Sequence, residues 1–189
     1  MRSLLLILLL LGSGICSAKK MQMAIESVIL SADLIVVGAI ERDGSGSYVF
    51  RIDETWHGDT TLRTIRVSKW KEWTCDRRGF TIGQGQRLVL LLNKDGARYS
   101  PVNASTGEIP IQGDSIPAHN GFYDVLPHAV PVRAFGAAVR ALRRCCHITA
   151  VNNDFGYFYE WAWDCTPEER LERKASSTSP TRPRLQRGR

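Results

Sequence analysis

Leu34-Ile35-Val36-Val37-Gly38-Ala39-Ile40 is an apolar run of strand length, with Asp33 before it and a Gly- and Ser-rich turn, Arg42 to Ser47, after it. Its β-branched content and short length favour a buried strand over a helix. Arg87-Leu88-Val89-Leu90-Leu91-Leu92 is the most apolar run downstream of the N-terminal leader, and it reads as a central strand. Weaker alternation surrounds these two. Tyr48 to Ile52 forms a second strand, ending before His57-Gly58-Asp59, and Leu62 to Val67 forms a third; together they suggest two antiparallel hairpins. Asn93-Lys94-Asp95-Gly96 is a turn with Gly where a positive φ is needed. Arg98 to Val102 returns as a strand, and a short one is expected at Glu108 to Gln112.

Helical spacing appears twice. Met21 to Ala32 places apolar residues at 21, 24, 25, 28 and 29. Pro131 then sits at an expected first helical position, and Val132, Phe135, Val139 and Leu142 recur every three or four residues through Cys146. Arg133, Arg140, Arg143 and Arg144 fall largely on other faces, and those near the C-terminus suit the helix dipole. The fold class is therefore mainly β with flanking helices. A small OB-like barrel packed by a helix is the leading architecture, and a β-sandwich is the alternative.

The ends differ from the middle. Arg2, the run Leu4 to Leu11 and Cys16-Ser17-Ala18 have the three-part pattern of a signal peptide, so residues 1–18 are expected to be removed and the chain to be secreted or periplasmic. Residues 19–165 form the domain. Residues 166–189 hold a short helix with a capping-box spacing at Thr166 to Glu169, then a Ser-, Thr-, Pro- and Arg-rich basic tail expected to be disordered. The formal charge of +6 comes mostly from these ends, because residues 19–165 carry 17 basic and 16 acidic side chains. That balance argues against a nucleic-acid partner. Arg182, Arg184, Arg187 and Arg189 give the tail a means of contacting anionic surfaces.

Four cysteines remain after removal of the leader: Cys75, Cys145, Cys146 and Cys165. An even count in an exported chain points to two disulfides. Neighbours in a helical turn point roughly 100° apart. One of Cys145 and Cys146 is expected to reach Cys75 and the other Cys165. Chain-entropy estimates put the two bonds at roughly 4 and 3 kcal/mol.

No catalytic set stands out, and neither a metal site nor a cofactor is expected. His57, His119, His128 and His147 show no HExxH arrangement. His57 is read in a hairpin turn and His147 just past a helix end. Gly44-Ser45-Gly46 lacks the nucleophile-elbow spacing. Gly83-Gln84-Gly85 reads as a turn into the apolar strand rather than a phosphate loop. Asp76, Asp114, Asp124, Asp154 and Asp164 read as solvated or turn residues. Aromatic residues give the clearest recognition signal. Trp70, Lys71 and Trp73 interleave aromatic and basic side chains before Cys75, and Tyr157, Phe158, Tyr159, Trp161 and Trp163 crowd before Cys165. Such residues either pack a core or stack on sugars and peptides. Trp70, Lys71 and Trp73 are the candidate ligand-binding residues. The expected function is a non-enzymatic binding module for a macromolecular partner, protein or glycan.

Ser31 to Ile40, then Phe50 to Gly58 with Glu54-Thr-Trp-His-Gly58, then Cys75, Phe80 and Gly83-Gln84-Gly85-Gln86 leading into Leu88 to Leu92, follow an order that resembles exported bacterial proteins with a tissue-inhibitor-of-metalloproteinases-like or netrin-like barrel. The resemblance covers about residues 24–112, more loosely through the helix at 131–146. It implies an OB-type barrel with helices packed on it and no catalytic set. It also implies a further function class, inhibition of an extracellular protease. In that family's inhibitors an N-terminal cysteine chelates the protease zinc, whereas here the expected first residue is Lys19 and Cys16 lies inside the leader. A hydrolase whose site assembles only in the fold is the third class.

Overall fold

A computed structural model describes residues 23–73, 76–120, 123–124, 128–153 and 156–163, with side chains described over 23–73, 76–118 and 128–146. The expected leader at 1–18, the helix at Thr166 and the basic tail lie outside these residues, as do Cys75 and Cys165. No described helix is long and apolar enough to cross a membrane.

The two apolar runs are adjacent strands. β1 (Leu34–Asp43) pairs antiparallel with β2 (Ser47–His57) on one side and with β4 (Arg87–Asp95) on the other. β3 (Thr64–Ser68) continues from β2, and β5 (Arg98–Pro101) lies between β3 and β4. The β3–β5 contact is parallel, at Val67 opposite Tyr99. The order β1-β2-β3-β5-β4-β1 closes a five-stranded barrel that fits an OB-like description. β6 (Glu108–Pro110) adds to β4 beyond β5. The barrel expectation holds, with β1, β2 and β4 running longer than the sequence pattern indicated.

Alternation sends successive side chains of β1 and β4 to opposite faces. Leu34, Val36 and Ile40 join Tyr48, Phe50, Ile65, Val67, Leu88, Leu90 and Leu92 inside the barrel. Ile35, Val37, Val89 and Leu91 face outward, under the helices. Burial on both faces explains why these two strands are continuously apolar where β3 alternates. Each fully buried aliphatic side chain contributes roughly 1.5–3 kcal/mol. Gly38 sits where the β1–β2 register shifts, and a Cβ there would lie 1.9 Å from the Arg51 carbonyl oxygen. Only glycine permits this approach.

Two helices cover the outer wall. α1 (Ile25–Ser31) buries Val28, Ile29 and Leu30; α2 (Val132–Cys145) buries Phe135, Gly136, Val139 and Leu142. Trp56, from the end of β2, meets Phe135 edge-to-face at 6.0 Å between ring centroids. Pro131 precedes the helix rather than opening it, and the first helical N–H, from Val132, is satisfied by the Asp114 carbonyl at 2.9 Å. The helix ends at Cys145. Cys146 instead opens β7 (Cys146–Asn153), which pairs in register with β8 (Gly156–Trp163). His147 is therefore a strand residue, and the aromatic run at 157–163 is the strand its alternation suggested. Arg143 is also not simply solvated. Its Nη1 donates to the Ile29 and Leu30 carbonyls at 3.2 and 2.5 Å, satisfying the C-terminal end of α1 from another element.

Candidate functional site

β3 ends at Ser68, and residues 69–73 and 76–82 lie against the barrel where β6 adds to β4. Phe80 and Ile82 pack against the interior cluster. Lys69 is tied to Asp43, at the end of β1, at 2.6 Å. The centre of this capped end is a carboxylate. Glu108 is fully buried, and its donors among the described residues include Tyr48, Trp70 and Arg78. The Tyr48 hydroxyl donates to its Oε1 at 2.9 Å. The Trp70 indole N–H and Arg78 Nε donate to its Oε2 at 2.8 and 2.6 Å. The Arg78 guanidinium also lies 4.1 Å from the Trp70 ring centroid, and its Nη1 donates to Glu72 at 3.2 Å.

Burying a charge is expensive unless it is paired and hydrogen-bonded. Here the pairing is close. Burial works against the Arg78 cation, but Glu108 and Glu72 outweigh it and hold the guanidinium above its ordinary range. Burial, followed by the neighbouring Glu108 carboxylate, raises the Tyr48 phenol well above its usual value, so Tyr48 acts as a fixed donor. Arg78 Nη2 is buried without a hydrogen-bond partner. An open cleft of about 490 Å³ borders the cluster, lined by residues that include Lys69, Glu72, Arg78, Phe80, Thr81 and Ile82.

The three candidate ligand-binding residues separate. Trp70 is half-buried, with its indole N–H used on Glu108 and Arg78 over its ring. Lys71 is exposed. Trp73 is 43% exposed, the one large apolar side chain so exposed among the described residues. Its backbone is nonetheless anchored, because the Trp73 and Asp76 amides and carbonyls bond each other at 3.0 and 3.1 Å. Asp76 corrects its reading as a solvated loop residue. It is fully buried, and its carboxylate accepts from the Ser105 hydroxyl and the Ser105 N–H.

Elsewhere, His57 is the last residue of β2, and its Nε2 meets Arg143 Nη2. Burial, then the Arg143 charge, lowers its pKa below 6.5, against an opposing pull from Asp33. His128 is exposed, and the side chains of His119 and His147 lie outside the described ones. Among the described residues no group of three or more His, Cys, Asp or Glu side chains can hold a metal ion. Cys145 is a disulfide-bonded cysteine, although no such bond joins two described residues, and the expected pairing to Cys75 and Cys165 falls outside them.

Sequence reasoning did not find Glu108, Arg78, Tyr48 or Glu72. The available signal was Glu108 itself, an acidic residue heading the short apolar strand Glu108-Ile109-Pro110-Ile111. No family model, curated protein or solved structure matches the chain.

Proposed function

We propose that this chain is an exported, non-enzymatic barrel that binds a protein or glycan partner at its capped end. Trp73 and Lys71 form the contact face, and Trp70 fixes the segment to the barrel. The observation that carries this reading is an exposed tryptophan on an anchored backbone. Among the described residues most large apolar side chains are covered, whereas Trp73 stands out with its main chain held by Asp76, whose carboxylate is in turn held by Ser105. A rigid, exposed aromatic is the kind of residue that dominates binding energy. The strand face most often used by OB barrels for nucleic acid offers no stacking platform. The outward positions of β2 and β3 carry Val49, Arg51, Thr64 and Arg66, while Tyr48 and Phe50 turn inward. The basic tail adds a second, screened attraction to anionic surfaces in this reading.

The test is a retention assay on immobilised glycans and on extracytoplasmic proteins, comparing the wild type with Trp73→Ala. Retention lost in the variant at an unchanged melting temperature supports the proposal. Equal retention by both forms refutes it, and so does turnover of the retained material, which favours the hydrolase. N-terminal sequencing of the secreted chain separates the inhibitor reading: a start at Lys19 removes the zinc-chelating cysteine, whereas a start at Cys16 restores it.

A further inference from the structure

Resting on the capped end as the contact face, we infer that the cleft beside Arg78 receives a carboxylate of a protein partner, with Glu72 as the internal carboxylate that it displaces. Arg78 is 7% exposed and already committed through Nε to Glu108. What remains is its terminal pair of nitrogens, of which Nη2 is buried behind the cleft wall. Glu72 uses only Nη1, at 3.2 Å, from a side chain that is 44% exposed, while Nη2 is unpartnered. A guanidinium holds a carboxylate best through two parallel bonds, and that geometry is unfilled here. Glu72 is a weak occupant, since it makes one bond from a largely solvated side chain and gains little by it.

Charge selects the same ligand. Residues 69–78 contribute Lys69, Lys71, Arg77 and Arg78 against Glu72 and Asp76, and Asp43 and Glu108 anchor the segment. The set is balanced while Glu72 is in place. With Glu72 swung into solvent it carries one uncompensated positive charge, which a single carboxylate neutralises. Phe80 and Ile82 on the cleft wall favour a carboxylate attached to an apolar group, such as a peptide C-terminus ending in a hydrophobic residue.

The experiment titrates the full, ¹⁵N-labelled chain with N-acetylphenylalanine, reading the Arg78 Nε–H and Trp70 indole N–H resonances. The expected result is a saturable shift of both with the acid and none with N-acetylphenylalaninamide. Glu72→Gln tightens binding about threefold, the worth of the single half-exposed ion pair that it removes. Lys69→Met weakens binding. Arg78→Lys loses at least about tenfold, because an ammonium cannot reproduce the fork. A retained Trp70 indole resonance in the variants verifies that the cap remains folded. No shift in either the wild type or Glu72→Gln overturns the inference, as does equal binding of acid and amide. Preference for glucuronate over N-acetylphenylalanine overturns the peptide source. A Trp73→Ala protein that loses its partner but still binds the acid separates the two proposals. One that keeps its partner while Arg78→Lys loses the acid sinks only the earlier reading.

Discussion

The outer wall of β1 and β4 and the capped end of the barrel are held together by different physics. Under the helices the contacts are apolar: Ile35, Val37, Val89 and Leu91 meet Val28, Phe135, Val139 and Leu142. At the capped end Glu108, Arg78, Tyr48 and Trp70 meet through directional, charge-assisted bonds, with one guanidinium nitrogen left over. Apolar burial is non-directional and tolerates exchange of similar shapes. A buried ion pair does not, because deleting one member strands the others. The helix side is therefore suited to stability, and the capped end to fixing one geometry beside the cleft.

Glu108→Ala tests this contrast most severely. It removes the partner of Arg78 Nε, the Tyr48 hydroxyl and the Trp70 indole at once, leaving Arg78 only its bond to Glu72, and the expected loss is about 3–5 kcal/mol in urea unfolding. A loss below about 1 kcal/mol, the worth of an exposed pair, would erase the distinction. On the helix side, Gly136→Ala probes tightness of fit. The new Cβ would lie 2.6 Å from the Trp56 ring. Helix propensity favours Ala by about 1 kcal/mol, but overpacking costs about 1–3 kcal/mol. A net loss of about 1 kcal/mol is expected from thermal unfolding, and a gain would show that the helix wall is loosely packed.

A smaller effect sharpens the picture of the helix side, where His57 and Arg143 form a polar junction. His57 has a folded pKa below its ordinary 6.5 because burial and Arg143 disfavour the imidazolium. The unfolded chain thus binds the proton more readily, and stability falls as pH drops through 6.5 toward the lower folded value. Unfolding curves for the wild type and His57→Gln, measured on either side of pH 6.5, should show a smaller acid loss in the variant. Identical losses would remove His57 from the junction's energetics. The smallest effect belongs to Trp73→Ala, expected within about 0.5 kcal/mol of the wild type because the side chain is exposed. A larger drop would make Trp73 part of the cap and not of a contact face.

Much of the architecture was legible beforehand. Leu34 to Ile40 and Leu88 to Leu92 are strands, Gly96 does adopt a positive φ, and residues 132–145 are a helix. Local pattern carries such information because strand alternation, turn chemistry and helical spacing each involve residues close in sequence. The capped end was not legible. Trp70 resembled Trp73 in the sequence, yet one is tied to Glu108 and the other projects outward. Asp76 resembled any loop carboxylate until Ser105 covered it. Arg143 resembled a surface arginine on an amphipathic helix, but its guanidinium closes the end of α1.

Local pattern in the chain was enough for the two strands apolar on both faces, the hairpins beside them and the two helices, but not for the strand that opens at Cys146. Which polar residues are buried emerges on folding, because Glu108 meets Tyr48, Trp70 and Arg78 across separations of 60, 38 and 30 residues. A charge survives burial only when folding delivers its partners, and no local pattern in the chain records which distant residues those are.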